Sequence, residues 1–367
     1  MGAIKNGTMI PTPTGNVPIE NLKVNDYVFD ESGSPVSILG AFTYEIPTSY
    51  KLYFKDGRSI ITSEDQIWSI RKKYASHIIT TSLNMFSKGV QGGKKKKYHK
   101  YQILNNKSVH FSSQSSLPVD PYVLGILLGD SKTGQTEVTI NSTDKYVIDK
   151  CSKLMPRENI PHCWSNTNSW YFKLRTPYHS QSNLLISNYQ LKDLLKDQIV
   201  LHKHSENFIP ELYLTSSFEN RLALAQGLMD ANGSVFNRGN VGFQTSSKQL
   251  ALDFLALIRS LGYNAYLLTY KFSNKKTHVL NYLVNINRRS SDRTKLFTLP
   301  RKLNKLKDYE EKHKKRLTPF IPIVKIQRYN QPTKVTGLII NSANHIFLAE
   351  NFLPIHDATA SYEKGVF

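Results

Sequence analysis

Two stretches of this chain share one build, LGILLGDS at 124–131 and GLMDANGS at 227–234. Each reads as the end of a helix packed through small residues, then a turn, then a strand. The first carries Asp130 and the second carries Asn232 in the corresponding place, one repeat unit later. Small residues stand four apart in both helices, Gly125 with Gly129 and Gly227 with Ala231. That spacing puts each pair on one helical face and lets two backbones approach closely. Such spacing also serves packing alone in buried helices, so the acid decides the reading. A carboxylate at a helix C-terminus faces the negative end of the dipole and calls for a cation. A hard divalent ion held by carboxylate, carbonyls and phosphate oxygens would supply that charge. Two adjacent acids could hold metals that activate water and stabilise the leaving oxygen in phosphodiester cleavage. Asn232 keeps one neutral oxygen but loses the charge.

Composition points to the same class of substrate. Lys and Arg outnumber Asp and Glu by 48 to 28, giving a formal charge of +20 and a pI near 9.7. An excess of this size more often marks a polyanion partner, chiefly nucleic acid, than a merely solvated surface. The 367 residues suffice for two or three domains, each with its own core. Cys151 and Cys163 form no CxxC arrangement, which excludes a Cys-rich zinc module and a disulfide scaffold and suits a reducing cytosol. No apolar run reaches the ~18 residues of a membrane span, and no secretory segment opens the chain. The expectation is a monomer without a membrane partner, cytoplasmic, or nuclear in a eukaryote.

The elements that position these residues come in three blocks. Residues 3 to about 70 read as β structure, with turn signals at 13–15, 31–35 and 55–58. The last, Lys-Asp-Gly-Arg between two strand-like runs, has a favoured hairpin centre. Residues 71–117 carry RKK and GGKKKKYHK and read as a basic, loop-rich linker or arm. From 118 the pattern is mixed α/β: a buried helix to Asp130, a strand, a helix over 143–154, a strand pair ending in WYFKLRT, and a helix over 180–197. The order recurs with RLALAQGLMDAN, the hairpin SVF-NRGN-VGFQT, a helix stopped by Gly262, and the strands YNAYLLTY and YLVNI. Residues 320–358 return to β patterning, so a β unit is split by a duplicated α/β unit.

Both motif stretches, with their flanks LPVDPYVLGILLGD and IPELYLTSSFENRLALAQGLMDANGS, resemble the LAGLIDADG homing endonucleases over about residues 118–300. The resemblance implies a pseudo-two-fold α+β unit, (αββαββα)2, whose four-stranded sheets form a saddle over double-stranded DNA. It also implies Mg²⁺-dependent cleavage, with Asp130 and Asn232 at the catalytic and metal positions. Ser131 replaces the usual glycine after the first acid, and Asn232 replaces the second acid. Lys173 and Gln244 are candidates to polarise water or contact phosphate, or are ordinary sheet-face residues. Arg175, Arg238 and Lys271 are candidate DNA contacts, and Lys94, Lys95, Lys96 and Lys97 either flank the DNA or form a charged loop.

The outer segments resemble the all-β Hint-type splicing domain of inteins. NGTMIPTPTGNVPIENLKVNDYVF is similar to the N-terminal block, GRSIITSEDQIW to the block whose Thr and His assist the first acyl shift, and NHIFLAENFLPIHDA to the C-terminal end. Splicing implies a thiol or hydroxyl first, an Asn last, and Cys, Ser or Thr just after. Counting back from Thr8, the first position falls on Ala3. The preferred C-terminal register puts Ala358 in the place of the cyclising Asn and Thr359 as the downstream nucleophile. The other register ends at Asp357 with His356 before it. Thr62 is present in the second block, Asp65 or Gln66 stands where His is expected, and His345 is a helper or a structural histidine. The resemblance thus implies a precursor blocked at both junctions, flanked in cis by its host protein.

The resulting division is 1–2 as an N-terminal extein stub, then 3–105 as the N-terminal splicing segment with its basic arm. The endonuclease spans 106–312, with repeats at about 118–200 and 208–300. The C-terminal splicing segment is 313–358, and 359–367 is a second stub. The rival reading is a DNA- or RNA-binding protein on this fold that has lost cleavage, a repressor or maturase-like factor. A mating-type-switch endonuclease is disfavoured by the two cysteines.

Overall fold

A computed structural model describes residues 1–72, 77–93, 98–112, 117–133, 138–142, 144–155, 161–163, 170–172, 207–274, 277–288, 292–313 and 320–359. Two compact units emerge: Met1–Ser113 with Arg259–Asn264 and Leu317–Phe367, and Gln114–Ile258 with Ala265–Arg316. The sequence reading set the outer boundaries at 105/106 and 312/313.

The first unit is built on a ten-stranded sheet. Its order is Tyr27–Phe29, Pro35–Ile46, Thr333–Ile340, Ile4–Lys5, Ser59–Thr62, Ser49–Phe54, Phe320–Tyr329, Tyr101–Leu104, Ile67–Lys72 and His77–Thr81. Strands from the two ends of the sequence interleave. Thr333–Ile340 lies between Pro35–Ile46 and Ile4–Lys5, and Phe320–Tyr329 lies between Ser49–Phe54 and Tyr101–Leu104, all antiparallel. Neither segment can complete the sheet alone, because each supplies the hydrogen-bond partner of the other's strands. The core is shared in the same way: Ile4, Ile10, Leu52, Trp68 and Ile70 pack with Ile321, Leu338 and Ile355.

The Asp-Gly turn forms as expected, with Gly57 at φ 86° and the Phe54 amide donating to the Arg58 carbonyl at 2.9 Å. The linker expected over 71–117 is corrected. Strands His77–Thr81 and Tyr101–Leu104 and the helix Ser82–Lys88 lie inside that range, and the two strands belong to the main sheet. Alternation decides this against charge: Tyr101 and Ile103 are buried between outward-facing neighbours, as is Met85 in the helix. Lys94 to Lys97 lie outside the described residues.

The second unit contains two four-stranded sheets of identical order, first–second–fourth–third. One comprises Ser131–Thr133, Val138–Ser142, Pro161–Cys163 and Trp170–Phe172, and the other Gly233–Val235, Val241–Thr245, Ala265–Asn274 and Thr277–Ile286. Each follows a motif helix, Pro121–Asp130 or Phe218–Asn232. The duplication read in the sequence is therefore a duplication of strand order. In the second repeat, Phe243 of the sheet meets Phe254 of the helix Lys248–Ser260 with ring centroids 4.5 Å apart. The helix expected over 180–197 lies outside the described residues. A further helix, Pro300–Lys312, follows the second repeat with Pro at its first turn.

Candidate functional site

The two motif helices touch backbone to backbone. A Cβ on Gly227 would sit 2.1 Å from the Tyr122 carbonyl oxygen, and one on Gly125 would sit 2.5 Å from the Leu224 carbonyl oxygen. Only glycine permits this approach, which carries the two helix ends to the same place. At that tip the Asn232 side chain is exposed, and its Nδ2 donates to the main-chain carbonyl of Gly129, the residue before Asp130. The Asp130 side chain lies outside what is described.

Helix ends leave carbonyls without partners, and here the protein answers them with its own donors. Lys302, buried, donates from Nζ to the carbonyls of Met229 at 2.9 Å, Asp230 at 2.7 Å and Ala231 at 3.2 Å. The cation that the sequence reading sought for a helix C-terminus is thus supplied at the second helix by a lysine. Asp230 returns the favour at the start of the Pro300–Lys312 helix. It accepts from the Thr298 and Leu299 amides, each at 3.1 Å, from the Thr298 hydroxyl, and from the Tyr122 hydroxyl at 3.0 Å. Burial, and then the Asp230 charge, drive the Tyr122 phenol strongly upward, so it stays a donor. Sequence reasoning missed Asp230 and Lys302. No local signal pointed to them, because Lys302 and the helix that carries it lie some seventy residues after the motif helix they meet.

The expected divalent metal fits poorly at Asn232. As placed, Asn232 is uncharged, donates from Nδ2 to the Gly129 carbonyl and has one neutral oxygen to offer a hard cation. Among the described residues no group of three or more His, Cys, Asp or Glu could hold a metal ion.

On the second sheet, Gln244 is half-buried and pairs across to Leu283 and then Leu268; Asn285 and Tyr266 share that face. Arg238 is an exposed turn residue at φ 64°, its carbonyl accepting from Arg288 at 2.7 Å. Lys271 is exposed but pairs with Leu280 on the opposite face from Gln244, by strand alternation. It therefore does not share a reading face with Gln244. Lys173 and Arg175 lie outside the described residues.

In the first unit a second polar cluster forms. Ala3 is buried; its amide donates to Ser63 Oγ at 3.1 Å, and its carbonyl accepts from the Ser63 amide at 2.9 Å. Gln66, also buried, donates from Nε2 to the His356 carbonyl at 2.7 Å, while its Oε1 lies 3.2 Å from where a Cβ of Gly2 would be. One side chain therefore reaches both ends of the split unit. Asp65 instead points to solvent and pairs with the Met1 amine. Thr62 is turned into the core, against Ser82 Oγ at 2.9 Å. Of the second-block residues named from the sequence, Gln66 is thus the one in the cluster.

At the other end, Asp357 accepts from the Ile340 amide at 3.1 Å, the Thr359 amide at 3.0 Å and the Thr359 hydroxyl at 2.7 Å. His345 Nδ1 stands 3.3 Å from its Oδ2, and the His345 and His356 rings are stacked with centroids 5.9 Å apart. Burial alone would raise this carboxyl; hydrogen bonds from His356, Thr359 and the Ile340 amide outweigh it and hold the carboxyl below its ordinary value. Ala358 is buried, with its amide on the Leu338 carbonyl at 2.8 Å. The strand Thr333–Ile340 thus carries both ends, since Thr336 pairs with Ile4. A separate hairpin, Ile346–Ala349 with Leu353–His356, has its turn anchored by Arg58, which pairs with Asp56 at 2.7 Å and donates to the carbonyls of Asn351 and Phe352, both at positive φ.

Residues 219–295 match the LAGLIDADG-like domain family. The chain is 22% identical over 379 residues to the replicative DNA helicase DnaB of Mycobacterium intracellulare, covering 97% of this chain and 58% of the helicase. The chain thus spans little more than half the length of that relative. Among solved structures, the MchDnaB-1 intein is 26% identical with a TM-score of 0.20, covering 22% of this chain and 59% of that one. The endonuclease I-DmoI in complex with DNA and Mn is 12% identical with a TM-score of 0.30, covering 47% of this chain and 90% of that one. Among the described residues no helix is long and apolar enough to cross a membrane.

Proposed function

We propose, from the premise that the chain is an intein-type β fold carrying an inserted LAGLIDADG-like domain, that it is a self-processing precursor whose inserted unit binds DNA but cuts it poorly. The observation that carries this reading is the Asn232 amide hydrogen-bonded to the Gly129 carbonyl at the tip of the helix pair. A second acid is missing there, and a donor fills the acceptor that a metal would use. In the β unit, Ala3 offers neither thiol nor hydroxyl, so the first acyl shift has no nucleophile. The two repeats of one chain supply both halves of a DNA saddle, and the protein acts as a monomer. The flanking host is a replicative helicase, the class of protein with which nearly the whole chain aligns. Asp130 leaves open the nicking of one strand with a divalent metal, whereas the cleavage-dead binder gains support from Asn232 alone.

The test is DNA binding and cutting on a plasmid that carries the uninterrupted insertion site. Binding should weaken steeply with salt, with a log–log slope of roughly −5 or steeper if about six phosphates are neutralised. Linear product should not accumulate with Mg²⁺. A slope near zero removes the nucleic-acid reading, and efficient double-strand cutting removes the impairment.

A further inference from the structure

We infer that the open face of the second four-stranded sheet reads an A·T-rich run of duplex DNA, through amides on adenine and leucines on thymine methyls. The inference rests on the DNA-binding reading above and names the class of sequence that one half of the inserted unit selects.

Register and burial fix which side chains stand on that face. Phe243 is buried against Phe254 of the helix Lys248–Ser260, so strand alternation turns its neighbour Gln244 to the other side. Cross-strand pairing extends the face in rows. Asn285 stands in one row, Gln244, Leu283 and Leu268 in the next, and Asn281 in the third. The positions that complete these rows are Ser234, Gly242, Tyr266 and Tyr270. None of them carries a charge, in a chain whose formal charge is +20. Cations flank the face instead: Lys271 lies on the opposite side and Arg238 in the hairpin turn.

These groups match one kind of base pair. Asn and Gln present a donor and an acceptor to N7 and N6–H of adenine, and an apolar side chain meets the thymine methyl, whereas guanine calls for Arg or Lys. Among the described residues, the side-chain amides of Gln244, Asn281 and Asn285 have no partner within the protein. Leu268 is 44% exposed in the middle row. Leu283 lies beside it and over Gly242, where a Cβ would stand 2.7 Å from Leu283 Cδ1. Covering these two leucines with thymine methyls takes apolar surface out of water on both partners.

The dimensions suit the major groove. Strands Ala265–Asn274 and Thr277–Ile286 pair over their full ten residues, a two-stranded ribbon of the kind that groove admits. Rows on one face repeat every ~6.8 Å, about two steps of the ~3.4 Å rise along a DNA strand. Three rows therefore span about four to six base pairs. Phosphates are left to the cations off this face and to the Tyr266 and Tyr270 hydroxyls, which position the duplex without reading it.

The experiment selects bound duplexes from a fully randomised DNA library with the full chain, then measures the winners singly. The expected result is one half-site with a run of about four to six A·T pairs. Leu268→Ala, at an exposed position, should keep the fold and lose roughly fourfold in affinity for that run, as should exchanging a contacted thymine for uracil. The two losses should not add, because they remove the same contact. Gln244→Arg or Asn285→Arg should shift preference at one position toward guanine by about tenfold. Salt should weaken every duplex yet leave the ratio between the A·T run and its G·C exchange unchanged, since neutral contacts release no counterions. Selected sites without an A·T run, or variants that weaken all duplexes equally, overturn the inference and leave DNA binding standing. A self-associated form that Leu268→Ala dissolves, read by sedimentation, assigns the face to a second copy and overturns it too. If no duplex is retained even at low salt, the DNA-binding reading fails and takes the inference with it.

Discussion

At the tip of the helix pair an exposed amide meets carbonyl oxygens, and in the split β unit a buried carboxylate meets only donors. Both places end a structural element and gather unsatisfied backbone groups, but of opposite kind. Two helix C-termini present the carbonyls of Gly129, Met229, Asp230 and Ala231, which Asn232 and Lys302 answer with N–H groups. The sheet end presents the Ile340 and Thr359 amides, which Asp357 answers with oxygens. Backbone polarity thus selects the side chain in each case. An acid belongs at the helix tip only if a cation comes with it.

The strongest way to break the contrast is to separate the helices. Gly227→Val places a Cβ 2.1 Å from the Tyr122 carbonyl oxygen, an overpacking that should cost ~3 kcal/mol or more. Urea unfolding should show the inserted unit melting early, with DNA binding lost.

Asp230→Ala should cost the inserted unit about 2–4 kcal/mol. It leaves the half-buried Thr298 amide, the buried Leu299 amide and the Tyr122 hydroxyl without their acceptor. The urea midpoint of that unit measures it, and Asp230→Asn should recover part of the loss.

A smaller effect sharpens the comparison from the acid side. Asp56 and Asp357 both have folded-state values below the ordinary 3.8. For Asp56 burial pushes upward, but the Arg58 charge and hydrogen bonds, with the Arg259 charge, prevail. A depressed carboxyl stabilises the fold above its unfolded value, and that contribution is lost as pH falls through the folded value. The β unit should therefore lose stability progressively below about pH 4, and Asp56→Asn should flatten that part of the urea-midpoint profile.

How far each region was legible follows from how local its cause is. The helix pair showed itself because Gly125, Gly129, Gly227 and Ala231 lie four apart within single turns, and duplication repeated the signal. The Asp-Gly hairpin was equally local. The strands His77–Thr81 and Tyr101–Leu104 were not, because flanking lysine runs masked short alternations that only the neighbouring strands Ile67–Lys72 and Phe320–Tyr329 complete. Lys302 was invisible for the same reason: its partners lie some seventy residues back. In the junction cluster the sequence named Gln66, His345, His356 and Asp357 but could not choose among them. The choice depends on side chains meeting across the whole chain, such as Gln66 on the His356 carbonyl.

Under the proposed function, Asn232 disables a metal site by putting a donor where a charge belongs. Asn232→Asp removes the hydrogen bond to Gly129 and sets a carboxylate beside a carbonyl, an arrangement that a bound cation favours. The direct measurement is Mg²⁺-dependent linearisation of a plasmid bearing the uninterrupted insertion site, by the present chain and by Asn232→Asp. The variant should cut on the order of 10³-fold faster, the effect of several kcal/mol of restored transition-state stabilisation. Mg²⁺ should also raise the melting temperature of the variant and leave that of the present chain unmoved. Equal cutting by both proteins, or a present chain that linearises DNA readily, would contradict the proposed function.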